Sequence, residues 1–313
     1  MFADENPARL RIGLVCAVAA HTLWGLFPLY WRMLGQIDAQ QLVAHRVLWS
    51  FVLLSLLMPV LLSAGQLGGW AAFKRIFFNL RYWSIYAIAA AMIAVNWLAF
   101  VYAVTHDRIL DASLGYYINP LLNVLLGVVF LGERLAWQQW VAITMAAIGV
   151  SVMTVMGGGL PWPAIAMAGT FAVYGLIKKK APLPALMGIW LETAVMVLPT
   201  LAYLAWVESE GRGAMSGGDW TTTALLVCGG LVTITPLTLF ALATHRVPLS
   251  TIGVLQYVGP TLQLFVGAVV AGEPFDSSKL IGFAFVWCGI LIFLIKLRAD
   301  ALTLRRPVAI ETP

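Results

Sequence analysis

Apolar residues fill this chain in long blocks, set apart by short clusters of Gly, Pro and charge. About 20 apolar residues at about 1.5 Å rise each cross a hydrocarbon core of about 30 Å. With that ruler ten segments emerge: Ile12–Trp31, Gln41–Leu62, Tyr82–Val104, Leu110–Leu131, Trp137–Met156, Trp162–Ile177, Pro184–Val207, Thr221–Thr244, Leu249–Ala271 and Leu280–Leu297. The sixth is short. The longest connections are residues 63–81 and 208–220, which leaves no room for a soluble domain of any size. The pattern predicts an all-α membrane protein with ten transmembrane helices.

Composition narrows the class. The chain is 61% hydrophobic and 11% charged, with a mean hydropathy of +0.89. Soluble chains carry about 45–50% apolar and about 25% charged residues. Disordered, disulfide-scaffold and ordinary cytosolic proteins are excluded. Thirteen Trp and nine Tyr suit rings that settle at membrane interfaces. Cys16, Cys228 and Cys288 lie within apolar stretches, without metal-ligand or disulfide spacing. There is no Walker-type phosphate loop, metal-ligand cluster or nucleophile motif, so neither cofactor, metal nor ATP-driven transport is expected. The first segment follows Arg9 and Arg11 and precedes many others, so it reads as a span and not as a cleaved signal.

The net charge of +5 would suggest nucleic acid as a partner of a soluble domain. Here it reports orientation, since Lys and Arg gather in cytoplasmic loops. With the N-terminus inside, the inner connections hold Arg9, Arg11, Lys74, Arg75, Arg81, Arg134, Lys178, Lys179, Lys180, Arg246, Lys296, Arg298, Arg305 and Arg306, fourteen in all. The outer ones hold four: Arg32, Arg108, Arg212 and Lys279. Arg46 lies within a span. The bias predicts an even number of spans, both termini cytoplasmic, and no nucleic-acid partner.

The chain also repeats itself. A shift of 140 residues matches Tyr117 with Tyr257, Pro120 with Pro260, Gly127 with Gly267, Gly132-Glu133 with Gly272-Glu273, and Gly149 with Gly289. Upstream, Phe100 and Ala103 meet Phe240 and Ala243. Two five-helix units are expected, residues 1–156 and 157–313. Five is odd, so the copies lie in the membrane with opposite orientation. Inverted repeats recur among secondary transporters, with substrate bound near the midplane between the halves.

The finer motifs are specific. His21-Thr22-Leu23-Trp24-Gly25 with Pro28, and a Gly-Glu pair closing the fourth helix of each repeat, resemble the EamA-domain branch of the drug/metabolite transporter superfamily. Ala44-His45-Arg46-Val47 with Trp49-Ser50, Asn96-Trp97, and Ala112-Ser113-Leu114-Gly115-Tyr116 running into Ile118-Asn119-Pro120 are similar to RarD-type permeases. So are Leu249-Ser250-Thr251 and Gln256-Tyr257 with Gly259-Pro260-Thr261. The resemblance covers residues 10–296. It implies a ten-helix inner-membrane permease that exports drugs or metabolites. His21 stands where that family more often carries an aromatic residue.

Charge inside a span costs roughly 2.5–3.5 kcal/mol at a helix centre and marks function. His45, Arg46, Asp111 and Glu192 are the candidates. Arg46 lies about a turn and a half into its span, and Glu192 about 12 Å into its own. Arg46 can pair with Asp111 or with Glu192. Such pairs either fix helix packing or contact a charged substrate, and Glu192 is the better candidate for protons. Tyr116, Asn119, Asn123 and Gly127 share one face of the fourth segment. Gln256, Gly259, Gln263 and Gly267 share the matching face of the ninth, and the two stripes should confront each other. Pro120 and Pro260 break equivalent helices, a pointer to a transporter site. Pro236 has no such partner, since it aligns with Asn96.

Trp24, Tyr30, Trp97, Trp190 and Tyr257 are expected to wall a cavity suited to flat or cationic molecules. Glu133 and Glu273 read as symmetric gating or capping groups or as solvated helix ends, and Lys178, Lys179 and Lys180 as topology anchors. The sequence therefore predicts a secondary transporter of small organic molecules, with protons as the candidate coupling ion. A passive channel or sensor subunit, or a lipid-acting enzyme built on His45, Arg46 and Asp111, are the alternatives. The oligomeric state is left open.

Overall fold

The computed structural model describes residues 7–105, 109–156, 162–216, 219–270 and 277–303. Twelve helices follow one another: α1 (Pro7–Arg32), α2 (Ala39–Ser63), α3 (Gly69–Phe77), α4 (Leu80–Thr105), α5 (Ile109–Leu131), α6 (Trp137–Met156), α7 (Trp162–Lys180), α8 (Ala185–Ser209), α9 (Trp220–Thr244), α10 (Leu249–Leu255), α11 (Val258–Phe265) and α12 (Ser277–Thr303). No strand occurs among the described residues.

Length and hydropathy make six of these helices clear membrane spans: Ala8–Arg32, Ala39–Ser63, Leu80–Phe100, Trp137–Met156, Ala185–Ser209 and Trp220–Thr244. In α5 and α12 the apolar runs are shorter, Gly115–Leu131 and Leu280–Phe293. The chain is a multi-pass membrane protein. Every backbone polar group in hydrocarbon must be met internally, and helix does so within each segment.

Helix ends follow local chemistry. Pro7 opens α1 at the position where its missing N–H costs nothing. The Asp219 carboxylate accepts from the Thr222 amide at 2.7 Å and caps α9. Gly132, at φ 66°, ends α5 in the left-handed region, and the next amide, that of Glu133, returns to the Gly127 carbonyl at 3.1 Å.

The structure departs from the pattern in two places. The connection 63–81 holds an amphipathic helix, α3, whose Ile76 is buried and whose Phe73 meets Trp190 at 5.4 Å between ring centroids. The ninth segment is two short helices, α10 and α11, followed by a wide π-turn at Val266–Val270. Pro260 removes one backbone bond and crowds the preceding turn. Gly253 and Gly259 add flexibility where the fourth segment has Ser113 and Asn119, and α5 runs unbroken through Pro120.

Packing is specific. α1 lies against α9 and α11, α2 against α8 and α9, α4 against α7 and α8, α5 against α7 and α10, and α6 against α12. At one end the Arg9 guanidinium donates to the His245 carbonyl at 3.4 Å, and Lys179 donates to the Val247 carbonyl at 2.6 Å. At the other end the Gln41 side chain donates to the Arg212 carbonyl at 3.0 Å and accepts from the Ala214 amide at 2.9 Å. The first of these is called the basic end below.

Candidate functional site

A cavity of about 390 Å³ lies between α1, α2, α4, α5, α7, α9 and α11. It extends from the middle of the bundle toward the end opposite the basic one, where Ala39, Leu42 and Val43 from the first turns of α2 line it. Its walls are mainly aromatic and aliphatic, and a few polar side chains converge on it, which is the usual make-up of a small-molecule site.

Arg46 is the only Lys, Arg, Asp or Glu among the described lining residues. Its guanidinium carbon sits 4.5 Å from the Trp97 ring centroid, 5.1 Å from Trp31 and 5.8 Å from Phe27. Ring faces attract cations, worth about 0.5–2 kcal/mol each. Nε donates to the Thr233 hydroxyl at 3.0 Å, and that hydroxyl donates onward to the Gly229 carbonyl at 2.7 Å. No described carboxylate pairs with Arg46. Of the two partners expected for Arg46, Glu192 is held elsewhere, by Lys178, and the side chain of Asp111 lies outside the described residues.

Side-chain amides make the deep wall. Asn119 donates to the Ala168 carbonyl at 3.1 Å. Asn123 donates to Asn119 at 3.0 Å and to Gln256 at 2.6 Å. The polar faces of the fourth and ninth segments therefore do meet. Asn96 donates to the Met167 carbonyl at 2.7 Å, and Gln263 to the Trp24 carbonyl at 3.2 Å. His21 Nδ1 donates to the Ala17 carbonyl at 2.6 Å, which leaves Nε2 buried with no partner among the described residues. The His21 ring packs edge-on to Trp24 and Phe240, at 5.3 and 6.1 Å, in the manner of an aromatic residue.

Beneath the cavity, toward the basic end, Phe171 and Tyr174 lie 5.4 and 6.2 Å from Phe240, and these rings form a floor. Below the floor Lys178 and Glu192 make an ion pair of 2.7 Å, with side chains 2% and 3% exposed. The Tyr174 hydroxyl donates to the same carboxylate at 3.0 Å. Lys178 is thus no topology anchor. The run of three lysines concealed a buried one, because α7 turns its first lysine inward, one helical turn beyond Tyr174.

Ten predicted residues line the cavity: Trp24, Arg46, Asn96, Trp97, Tyr116, Asn119, Gln256, Gly259, Pro260 and Gln263. Asn123 supports two of them from behind. Others lie elsewhere. His45 is buried but does not line the cavity, so it is not clustered there with Arg46. Tyr257 stacks on Tyr117 at 6.5 Å, and Pro120 adjoins it, both outside the cavity. Trp190 donates to Ser55 at 2.9 Å, and the Tyr30 hydroxyl bonds the Leu225 carbonyl. Of the five aromatic residues expected around the cavity, only Trp24 and Trp97 line it.

Glu133 acts as a capping group and not as a solvated helix end. Its carboxylate accepts from the Leu249 and Ser250 amides at 2.7 and 2.9 Å and so caps α10. Glu273 and the side chain of Asp111 lie outside the described residues. Sequence reasoning did not single out Phe27, Trp31, Phe171 or Thr233. Only their helical spacing from Trp24, Tyr174 and Pro236 hinted at a shared face.

A model of the EamA-like transporter family matches the chain twice, over residues 11–155 and 162–295. An uncharacterized transporter of Vibrio cholerae is 42% identical over 293 residues, covering 94% of this chain and 95% of that one. The protein RarD of Escherichia coli K12 is 36% identical over 289 residues, covering 92% and 96%. A solved structure described only as "Crystal structure of protein" has a TM-score of 0.69 at 18% identity and covers 94% of this chain and 99% of its own, so the fold is shared.

Proposed function

The chain belongs to the EamA-like transporter family, and from that premise we propose that it is a secondary transporter of small organic molecules working by alternating access. The observation that carries the reading is the cavity, which the aromatic floor and the buried ion pair close toward the basic end. A closed floor suits a carrier and does not suit a continuous pore.

Two inverted five-helix repeats, 1–156 and 157–313, and ten spans fit this reading. The second copy begins at α7, so α1, α2, α4, α5 and α6 correspond to α7, α8, α9, α10–α11 and α12. That exchange turns the α5·α7 contact into α1·α11, α4·α7 into α1·α9, and α2·α9 into α4·α8, and each of these occurs. The two family matches split the chain at the same place. Transport then consists of rocking one helix group against the other until the floor opens.

In our reading the basic end is cytoplasmic, the membrane is the bacterial inner membrane, and the state described is outward-facing. The excess of Lys and Arg and the bacterial relatives support this. Export follows from family resemblance. Proton coupling would act at Glu192, where a proton would weaken its hold on Lys178 and release the floor.

Counterflow in proteoliposomes tests the carrier reading, using molecules selected by thermal stabilisation of the purified chain. Saturable, trans-stimulated uptake is expected. Linear, unsaturable flux would instead indicate a channel. Flux insensitive to both a pH gradient and Glu192→Gln would exclude the proton step.

A further inference from the structure

Arg46 has a whole cavity in front of it, and among the described residues no carboxylate neutralises it. A buried charge is stable only when paired and hydrogen-bonded, and removing an ion from water costs several kcal/mol. Inside a membrane segment the demand is stronger. The protein meets part of it with the rings of Trp97, Trp31 and Phe27 and with the hydroxyl of Thr233. Only Nε is used in this way. Among the described residues nothing accepts from the two Nη groups, the fork that matches a carboxylate.

The rest of the described lining is apolar or carries neutral polar groups. Trp24, Phe100, Phe171 and Leu237 line it, and no Asp or Glu does among the described residues. A cationic molecule would meet an unneutralised guanidinium in a low-dielectric space, with no carboxylate to offset the repulsion. Three of the cavity's rings, those of Trp97, Trp31 and Phe27, already face Arg46. This reverses the preference expected from the aromatic residues alone.

We propose that the cavity takes small organic anions, each with one carboxylate that binds the free edge of the Arg46 guanidinium and a flat apolar body that lies among the rings. The proposal rests on the reading of this cavity as the substrate site. Trp97 and Trp31 hold the guanidinium plane, and Thr233 fixes its rotation through Nε. The fork is therefore pre-ordered, and less entropy is lost when the carboxylate docks.

The test uses three probes that share one ring system and differ in charge: indole-3-acetate, indole-3-acetamide and tryptamine. Binding to the purified full-length chain is measured by isothermal calorimetry at constant ionic strength. The carboxylate should bind about tenfold or more tightly than the amide, the span of one charge-assisted pair, and the amine more weakly than both. Arg46→Gln should erase the preference of carboxylate over amide. Arg46→Lys, which keeps the charge and loses the fork, should retain part of the preference.

The proposal is overturned if tryptamine binds as well as indole-3-acetate. Equal binding of all three probes, or binding of none, overturns it too. So does an Arg46→Gln chain that still prefers the carboxylate. The wild-type ranking needs no variant, so a misfolded substitution does not protect the idea. Binding is read without flux. A chain that ranks the probes as expected and exchanges none of them across a vesicle refutes the transport reading and leaves this one standing.

Discussion

Lys178 and Glu192 show how much a single pair of residues decides here. Each side chain is almost wholly out of solvent, and the carboxylate is held by the ammonium at 2.7 Å and by the Tyr174 hydroxyl at 3.0 Å. Removing either partner strands the other. Glu192→Gln or Lys178→Met alone should cost about 3–5 kcal/mol, read from detergent-solubilised unfolding curves. Replacing both, as Lys178→Met with Glu192→Leu, should cost less than either single change. Glu133 is a milder case. Its two bonds cap a seven-residue helix, so Glu133→Ala should cost about 1–2 kcal/mol and Glu133→Gln less. At the basic end, burial is the first cause that holds His245 below the usual histidine value, followed by the cations of Lys178, Lys179, Arg246 and Arg9. The unfolded chain takes up that proton first on acidification. Stability present above the unfolded value is therefore lost as pH falls through it toward the lower folded value. His245→Gln should remove that part of the acid sensitivity, seen as a smaller fall in melting temperature between neutral and mildly acidic buffer.

At the scale of elements, α6 and α12 cross backbone to backbone. A Cβ at Gly149 would come within 2.5 Å of the Gly282 carbonyl oxygen, and one at Gly289 within 2.5 Å of the Ala142 carbonyl oxygen. Small residues of this kind let membrane helices pack backbone to backbone. Gly149→Leu and Gly289→Leu should each destabilise the chain by more than the same change at Gly169, which has open space around it. Unfolding curves of the three variants decide this. The elements were legible from sequence because hydrocarbon admits so few backbone solutions. What the apolar pattern hid was local. Spacing cannot tell that the bend forced by Pro260, loosened by Gly253 and Gly259, splits one span while Pro120 leaves its own intact. Nor does it tell which of three successive lysines turns inward, since a basic run at a helix end looks alike whether it is solvated or paired. The polar stripe of Asn119 and Asn123 was readable because i, i+4 spacing fixes a face. The ring cage of Arg46 was not, since it assembles from three residues on two helices.

The whole molecule adds the relation between the two ends. If the halves exchange roles, each position that lines the open side has a counterpart that is now sealed. Val43 is the fifth residue of α2 and lines the cavity, whereas Ile189 is the fifth residue of α8 and is buried in the core at 1% exposure. In a background with Cys228 and Cys288, both exposed, replaced by serine, Val43→Cys should react with a water-soluble maleimide applied to the outer face. Ile189→Cys should stay unreactive from the inner face. Weakening the floor with Glu192→Gln should shift that balance, slowing modification of Val43→Cys and starting that of Ile189→Cys, because loss of the Lys178 lock favours the opposite opening. Reactivity that rises at both positions together would mean loosening of the bundle. Reactivity that changes at neither would mean that the ion pair holds the fold and not the gate. Only opposite movement at the two positions carries the signature of two related halves working around one cavity.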